Sequence, residues 1–528
     1  MSTKIQNPIL TGFNPDPSIC FAGGKYYIAT STFEWFPGVQ IHVSDDLVNW
    51  DLACRPLDRV SMLDMKGNPP SGGIWAPCLT YSKGKFYLIY TDVKGWSDLE
   101  TPFKDCHNYL TTADEITGPW SEPIYMNSSG FDASLFHDDD GKIWYINLDW
   151  DYRKPRTLKF DGIVAQEFDE KSGRLIGEIT KIYRGTKLGL TEGPHIFKKD
   201  GYYYLMVAEG GTTYEHAESM ARSKNVLGPY EDHPKNPIIT SRDKDVYLKK
   251  AGHASMCENE KGIWYLVHLC GRPLEGTDRC VLGRETSIQR IEWEEGWPYI
   301  YSKDGLCSTP QDYIEIDEDV DKSTVVKRRW TFDNWNFKKG FQSLRIPMEE
   351  FATVDERKGY LRLYGRESVA SRFTQAIVAT RQKHFAFEAE TKVQCNPESY
   401  HHMAGLSYRY DERNQYYFRV CFDEGDGKYY LGLLCFDKMR FSLTDIEINY
   451  KETIKLKVVV RNRKVKFLYA LADEFVEFPG EYDSSVLSDE YAMPLGFTGA
   501  FIGMQAVDTR HNDFYADFEY FEYKVLED

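Results

Sequence analysis

Three carboxylates recur in one local pattern within the first 200 residues, and each could take part in acid–base chemistry. Asp16, Asp132 and Glu192 are each followed by a small or cyclic residue and then by Ser or Pro. Tripeptides of the same form begin with Trp75 and His253. Brought to one place, three carboxylates supply an acid, a base and a third anion that adjusts the acid.

Paired carboxylates on opposite sides of a glycosidic bond are the usual apparatus of sugar hydrolysis. Making a Glu side chain a usable acid by raising its pKa from about 4.3 to about 6.5 needs about 3 kcal/mol of bias against its anion. A second carboxylate about 5 Å away supplies that bias at an effective dielectric constant near 20. A calcium site is the alternative use, although calcium ligands usually cluster in one loop with backbone carbonyls.

Structural roles are the alternative for the individual residues: Trp75 as core filler, His253 as a buried histidine and Asp16 as part of a surface turn. Asp16 lies between Pro15 and Pro17. Because a residue before proline is pushed towards extended geometry, we expect Asp16 to be held stiffly in an extended conformation.

The tripeptides keep step with a longer repeat. Each is followed, eight or nine residues on, by a glycine that leads a short aromatic and β-branched segment. Such units of about 60 residues predict turn-led strands, and five of them predict a five-bladed β-propeller whose first strands line a central channel. The five tripeptides should then occupy equivalent positions at one end of that channel. The leading glycines are Gly24, Gly84, Gly141, Gly201 and Gly262.

Several motifs resemble the catalytic blocks of glycoside hydrolase family 43. They are F-N-P-D-P-S at 13–18, G-F-D-A-S-L-F at 130–136 and T-E-G-P-H-I-F at 191–197. The runs S-T-F-E-W-F-P-G-V at 31–39 and L-G-R-E-T-S at 282–287 resemble its β-xylosidase branch. The resemblance extends over essentially the whole chain and implies a five-bladed propeller enzyme that inverts anomeric configuration.

The resemblance also implies roles for individual residues. Asp16 would be the general base, Glu192 the general acid, and Asp132 the carboxylate that tunes and orients Glu192. Arg284 would hold a sugar hydroxyl or orient Asp132. Phe33 and Trp75 would wall the sugar pocket, and His253 would contact the site. No cofactor is expected to be required. In arabinan-degrading relatives the equivalent of His253 can bind a metal, but no sequence feature supports a divalent cation here.

A second domain follows the repeat. We expect a propeller at 1–305, a linker at 306–329 and a C-terminal β-sandwich at 330–528, because strands with period-two alternation appear after Trp330. The sandwich would be a sugar-binding module or would close one side of the pocket. For closure the candidate is Gly496–Met504, with Phe501 inserted, although this run could equally be a core strand.

Composition limits the partners. The net charge of −17 argues against nucleic acid, which requires a basic surface. No apolar run is long enough to span a membrane, and the start of the chain has no apolar segment typical of a signal peptide. Eleven cysteines without paired spacing indicate reduced thiols, so we expect a cytoplasmic protein.

The resulting hypothesis is an exo-acting, inverting 1,4-β-xylosidase that releases xylose from the non-reducing end of xylo-oligosaccharides. Side activity on α-L-arabinofuranosides fits the same pocket, because the two sugars present similar hydroxyls. Two alternatives stay open: a dedicated α-L-arabinofuranosidase of the same fold, and a non-catalytic carbohydrate-binding propeller. Family analogy further implies a homo-oligomer.

Overall fold

Almost all regular structure in the chain is β-strand. A computed structural model describes residues 3–97, 101–316, 318–321, 326–438 and 440–527. The helices within these ranges are short 3₁₀ turns at Arg156–Lys159, Trp335–Lys339, Met348–Glu350 and Ser484–Val486. None of the helices in the described part is long and apolar enough to cross a bilayer.

The first 25 strands belong to the N-terminal part of the chain. In order they are β1 (Thr3–Gln6), β2 (Ser18–Ala22), β3 (Lys25–Thr30), β4 (Trp35–Phe36), β5 (Gln40–Ser44), β6 (Asp51–Cys54), β7 (Gly73–Ser82), β8 (Lys85–Gly95), β9 (Asp105–Ala113), β10 (Ile124–Asn127), β11 (Ser134–His137), β12 (Ile143–Trp150), β13 (Phe160–Asp169), β14 (Arg174–Tyr183), β15 (Glu192–Lys199), β16 (Tyr202–Glu209), β17 (Ala217–Ser223), β18 (Glu231–Asp232), β19 (Ile239–Thr240), β20 (Lys249–Glu258), β21 (Trp264–Gly271), β22 (Arg284–Glu294), β23 (Trp297–Ser302), β24 (Gly305–Cys307) and β25 (Tyr313–Ile316).

All of these strands except β1, β4 and β25 form five antiparallel sheets in chain order. The sheets are β2-β3-β5-β6, β7-β8-β9-β10, β11-β12-β13-β14, β15-β16-β17-β18 with β19 on β17, and β20-β21-β22-β23-β24. The first strands touch one another in sequence: β2 contacts β7, β7 contacts β11, β11 contacts β15, β15 contacts β20, and β20 contacts β2. The predicted turn-led strands are confirmed, because the five leading glycines have φ between 74° and 89°, a conformation that favours glycine.

The remaining strands belong to the C-terminal part. They are β26 (Lys327–Thr331), β27 (Ser343–Leu344), β28 (Ala352–Thr353), β29 (Leu361–Tyr364), β30 (Ala376–Arg381), β31 (Ala386–Cys395), β32 (His402–Arg409), β33 (Asn414–Asp423), β34 (Lys428–Asp437), β35 (Arg440–Glu447), β36 (Thr453–Arg461), β37 (Lys464–Ala470), β38 (Val476–Glu477), β39 (Tyr482–Asp483), β40 (Phe501–Asp508) and β41 (Tyr515–Val525).

Two of their sheets enclose a single hydrophobic core. One runs β28-β29-β41-β31-β36-β37-β38, with β26 on β41 and β39 on β37, and the other runs β30-β40-β32-β33-β34-β35. Burial alternates residue by residue along β31 and β36, as period-two strands with one covered face require. The shared core includes Phe387 and Val458 of the first sheet and Phe418 and Leu431 of the second.

The N- and C-terminal parts are joined by strand pairing and by a mixed core. Strand β27 pairs with β4, so that Ser343 lies opposite Phe36 and Leu344 opposite Trp35. Within 306–329, β25 pairs with β1 and β26 joins the C-terminal sheets. Residues 317 and 322–325 of that predicted linker lie outside the described residues.

Candidate active site

One cavity brings together most of the predicted site residues. It has a volume of about 300 Å³ and is walled by both parts of the chain. Seven of the eight predicted site residues line it, and Phe501 is not among the lining residues. The seven are Asp16, Phe33, Trp75, Asp132, Glu192, His253 and Arg284.

The backbone turns sharply where the site residues enter the first strands. Asp16, Asp132 and His253 have φ of 51°, 55° and 50°, in the left-handed region that non-glycine residues rarely adopt. The expectation of an extended Asp16 is therefore wrong. Proline on either side does not forbid this conformation, and contacts made by its carboxylate hold it there.

The first residues of the five tripeptides were predicted to be structurally equivalent. In two of the sheets this prediction is wrong, because the left-handed residue is the second residue of the tripeptide and not the first. There the left-handed residues are Ala76, at 31°, and Gly193, at 58°, so that Trp75 and Glu192 come one position earlier. The strand ladders are irregular at these points, between Trp75 and Cys78 and between Glu192 and His195. Such bulges re-aim a side chain at the end of a strand.

The Asp16 carboxylate has two hydrogen-bond donors. It accepts hydrogen bonds from Arg284 Nη1 at 2.8 Å and from Ser31 Oγ at 2.7 Å. His253 Nδ1 lies 3.9 Å from the same carboxylate. A guanidinium ion and a hydroxyl donor both favour the charged form of a carboxyl group. Asp16 is therefore suited to accept a proton from a water molecule.

Arg284 organises Asp16 rather than Asp132. Its other contacts are Thr212 Oγ1 at 3.0 Å and the carbonyl oxygen of Phe497 at 3.0 Å. Asp132, which Arg284 would orient in one of its two predicted roles, is not among its hydrogen-bond partners in the described part of the chain. Arg284 is the first residue of β22 in the fifth sheet. From there its guanidinium reaches Asp16, which lies just before β2.

Glu192 has the opposite electrostatic environment. Burial in the cavity raises its pKa to about 8, and the negative charge of Asp16 adds to the rise. The positive charges of Lys104 and Arg284 oppose it. The argument from sequence assigned the rise to a neighbouring carboxylate, but burial is the larger cause. Glu192 is therefore protonated at neutral pH and can donate a proton.

Asp132 is linked to Glu192 through the backbone. Its Oδ2 accepts a hydrogen bond from the Gly193 N–H at 3.1 Å. Burial and the proximity of Glu192 raise the pKa of Asp132 well above its ordinary value. Two neighbouring carboxyl groups that raise each other's pKa cannot both ionise easily, so the pair retains a proton.

His253 packs against the same backbone. A Cβ atom at position 193 would lie 3.0 Å from His253 Nε2, so glycine is the residue that fits beneath the ring. Burial lowers the pKa of His253, so the ring is neutral. Within the described ranges, the group of three potential metal ligands is His402, Asp508 and Asp513, in the C-terminal part, and it does not include His253.

Comparison with known proteins agrees with this geometry. The family model for glycosyl hydrolases family 43 matches residues 5–298, and that for the beta xylosidase C-terminal concanavalin A-like domain matches 329–524. The chain belongs to glycosyl hydrolase family 43.

Two curated relatives and one crystal structure match over almost the full length of both chains. The "Beta-xylosidase" of Bacillus subtilis is 48% identical over 99% of each chain, and "Xylosidase/arabinosidase 43B" of Humicola insolens is 46% identical over 99% of this chain and 98% of that one. The crystal structure of xylan beta-1,4-xylosidase from Bacillus halodurans is 47% identical, covers 98% of this chain and 100% of that one, and has a TM-score of 0.94.

The pocket of this family 43 protein has an aromatic wall. Trp75 donates from Nε1 to the carbonyl oxygen of Ser71 at 2.8 Å, which fixes the indole. Its ring lies 5.4 Å from Phe131, edge to face, and 6.1 Å from Phe33. Phe131 was missed as a site residue although it stands inside the G-F-D-A-S-L-F motif, directly before Asp132. Further lining residues that the sequence did not reveal are Lys104, Phe160, Leu190, Thr212 and Leu495.

Phe501 is a core residue, and Phe497 is the aromatic residue that the C-terminal part contributes to the pocket. Phe501 is fully buried, and its ring stacks on Trp35 at 3.7 Å. It begins β40, a strand whose residues are all buried. Phe497 lies in the coil before that strand, 5.7 Å from Trp75 and 6.2 Å from Phe33. The predicted segment was therefore right and the predicted residue wrong by four positions.

Proposed function

We propose that the protein is an exo-acting, inverting 1,4-β-xylosidase that releases xylose from the non-reducing end of xylo-oligosaccharides. One observation carries the proposal: a single small cavity holds Asp16, which accepts a hydrogen bond from Arg284, together with Glu192, whose pKa burial raises to about 8. Carboxyl groups whose environments separate their proton affinities are the signature of an acid–base pair. The names of the relatives support β-xyloside as the substrate class.

In the proposed mechanism Asp16 activates a water molecule and Glu192 protonates the leaving oxygen. Arg284 and Ser31 orient the Asp16 carboxylate that accepts the proton from water. Water attacks the anomeric carbon directly, so the configuration of the released sugar is inverted. Asp132 holds the backbone beside Glu192 and so orients the acid.

The remaining lining residues would recognise the sugar. Phe33, Trp75 and Phe497 present ring surfaces to the non-reducing-end unit, and His253, as a neutral ring, is available to a hydroxyl group. The cavity is near the lower end of the range of about 300–1,000 Å³ for ligand sites. A small pocket walled by the Phe497 segment admits a chain end but not the middle of a polymer.

The proposed architecture is a five-bladed β-propeller at 1–305 joined by residues 306–329 to a β-sandwich at 330–528. The ordered contacts of β2, β7, β11, β15 and β20 support the ring of blades. The family model that begins at residue 329 supports the second boundary. A homo-oligomeric state stays a prediction, as does a cytoplasmic location, which eleven free cysteines favour.

Side activity on α-L-arabinofuranosides is the second candidate function. The relative from Humicola insolens carries both activities in its name. A dedicated arabinofuranosidase would cleave the arabinoside much faster than the matched xyloside. A non-catalytic binding propeller would cleave neither substrate and would have no need of a separated acid and base.

The test is a proton NMR time course of xylobiose hydrolysis, recorded before mutarotation. We expect α-xylose to appear first. If β-xylose appears first, the configuration is retained and the role of Asp16 as activator of water is wrong. If xylobiose is not cleaved, the substrate is an arabinoside or the protein only binds sugar, and the matched arabinofuranoside assay separates these outcomes.

A further inference from the structure

Ser71 lies behind the aromatic wall of the pocket in a strained backbone conformation. It is 2% exposed and, among the described residues, is not one of those that line the cavity. Its φ is 57°, in the left-handed region that residues other than glycine rarely adopt. Such a conformation persists where surrounding contacts hold it, and residues of this kind cluster at functional sites. The contacts of Ser71 therefore indicate its role.

The backbone and the side chain of Ser71 both make hydrogen bonds to the residues of the wall. Its N–H donates to Glu34 Oε2 at 3.1 Å, and its carbonyl oxygen accepts from Trp75 Nε1 at 2.8 Å. Its Oγ accepts from the Phe497 N–H at 3.0 Å. Glu34 is buried and directly follows Phe33. Ser71 is therefore bonded to two of the three aromatic residues of the wall and to the neighbour of the third.

The three rings form a triangle whose geometry depends on these bonds. The ring centres of Phe33 and Trp75 are 6.1 Å apart, those of Trp75 and Phe497 5.7 Å, and those of Phe33 and Phe497 6.2 Å. Phe33 and Trp75 belong to the N-terminal part, whereas Phe497 lies in the coil before β40 of the C-terminal part. Ser71 Oγ holds the N–H of Phe497, and Arg284 Nη2 holds its carbonyl oxygen.

The hydroxyl group distinguishes Ser71 from the residue that this backbone favours. Glycine adopts a φ of 57° without steric cost, and Gly72 and Gly73 follow directly in the chain. Serine at position 71 retains the strain of a Cβ atom and supplies an acceptor for the Phe497 N–H. A backbone N–H away from water requires a partner. Loss of the hydroxyl group would therefore free the Phe497 segment to shift.

We propose that Ser71 is a positioning residue that fixes the Phe497 ring against Trp75 and so sets the affinity of the pocket for the terminal sugar. The inference rests on the proposed function, in which these rings contact the non-reducing-end unit. Ser71 lies behind the wall, so it acts on the sugar through Phe497. Its hydroxyl group therefore contributes to substrate binding, which KM reports, and leaves the proton transfers of Asp16 and Glu192 unchanged.

The experiment measures kcat and KM for xylobiose in the full-length protein, in Ser71→Gly, in Phe497→Ala and in the double variant. We expect Ser71→Gly to raise KM about threefold to tenfold, as the loss of one hydrogen bond implies, with kcat within about twofold of the parent. The KM of the double variant should equal that of Phe497→Ala, because the position of an absent ring no longer matters. The matched control is Ser44→Ala, which removes a buried hydroxyl group that accepts the Leu47 N–H at 2.8 Å.

Activity of the parent protein distinguishes failure of this inference from failure of the proposed function. A parent that does not cleave xylobiose would overturn the xylosidase assignment. With an active parent, an unchanged KM in Ser71→Gly, or additive effects in the double variant, would overturn the positioning role and leave the assignment intact.

Urea unfolding of Ser71→Gly and Ser71→Ala separates positioning from stability. Glycine relieves the left-handed strain that alanine retains, so Ser71→Gly should be the more stable of the two. Both variants should be folded under the assay conditions and share the raised KM. If neither variant folds, the hydroxyl group is required by the fold itself, which also overturns the proposal.

Discussion

At the scale of single residues, the pocket gives two carboxyl groups different neighbours. Asp16 receives a guanidinium donor and a hydroxyl donor, whereas Glu192 is half-buried in the cavity and faces the charge of Asp16. Removing water from the site strengthens both effects, because charges interact more strongly in a low dielectric. The proposed division of roles between base and acid rests on these contacts.

Replacing Glu192 tests its role as the acid. We expect Glu192→Gln to lower kcat for xylobiose by about 10²–10⁴-fold, the usual contribution of a positioned proton donor. Aryl xylosides with acidic phenol leaving groups need no protonation and should lose far less. Parallel assays of both substrates provide the measurement. An equal loss on both would contradict a role in protonating the leaving group.

The pH dependence of kcat/KM should reveal the proton on Glu192. With a pKa of about 8, the acid is protonated below that pH, so we expect kcat/KM to fall as the pH rises through about 8.

The Lys104 cation stabilises the Glu192 anion, so removal of Lys104 should raise the pKa of Glu192. The alkaline limb of Lys104→Gln should therefore move to higher pH. Lys104→Arg retains the charge and serves as the control; a limb that stays in place in both variants would contradict the assignment.

At the scale of elements, the segment before β40 closes the pocket because it is held on both sides. The Phe497 N–H donates to Ser71 Oγ at 3.0 Å, and its carbonyl oxygen accepts from Arg284 Nη2 at 3.0 Å. The approach is close enough that a Cβ atom at Gly283 would lie 2.2 Å from the carbonyl oxygen of Thr498. The C-terminal part is therefore built into the pocket wall and contacts the residue that orients Asp16.

Replacing either of two phenylalanines of this region by alanine should affect a different property: substrate binding for Phe497 and stability for Phe501. We expect Phe497→Ala to raise KM for xylobiose by about threefold to tenfold through loss of an aromatic contact, with little effect on unfolding. Phe501→Ala should instead lower the free energy of unfolding by about 3–5 kcal/mol, because it removes a fully buried ring. Steady-state kinetics and urea unfolding of both variants provide the measurements. A stable Phe501→Ala protein with a raised KM would return the pocket role to Phe501.

At the scale of the whole molecule, buried charge joins the two parts of the chain. Arg345 donates to Glu412 Oε1 at 2.7 Å and to the carbonyl oxygen of Asn68 at 2.9 Å. Its N–H donates to the carbonyl oxygen of Glu34, the residue after Phe33. Arg345 is almost fully buried. The network therefore couples the C-terminal sheets to the segment that carries an aromatic wall of the pocket.

Removing Arg345 should weaken the whole molecule. We expect Arg345→Met to lower the free energy of unfolding by about 3–5 kcal/mol, since it leaves Glu412 with one fewer partner in a buried site. The matched control is Arg59→Met, which breaks an exposed ion pair with Glu122 and should cost at most about 1 kcal/mol. Thermal and urea unfolding measure both. Equal losses in the two variants would show that burial of the network does not matter to stability.

Much of the site could be predicted because its residue types repeat with the fold. Glycine-led strands about 60 residues apart indicated the five sheets, and each sheet contributed at least one residue of the pocket. Phe131 and Lys104 were missed because an aromatic or basic residue near a strand carries no periodic signal. The one-residue offset at Trp75 and Glu192 was missed because bulges depend on strand pairing, which residue types do not reveal.

The sequence by itself determined an all-β chain with two parts and the three carboxylates of the pocket. The tertiary structure alone decided the partner of Arg284, the choice of Phe497 over Phe501 and the protonation of Glu192. The reason is distance along the chain: Arg284 meets Asp16 across 268 positions and Phe497 meets Ser71 across 426. Burial, which raises the pKa of Glu192, is likewise a property of the assembled cavity and not of any segment.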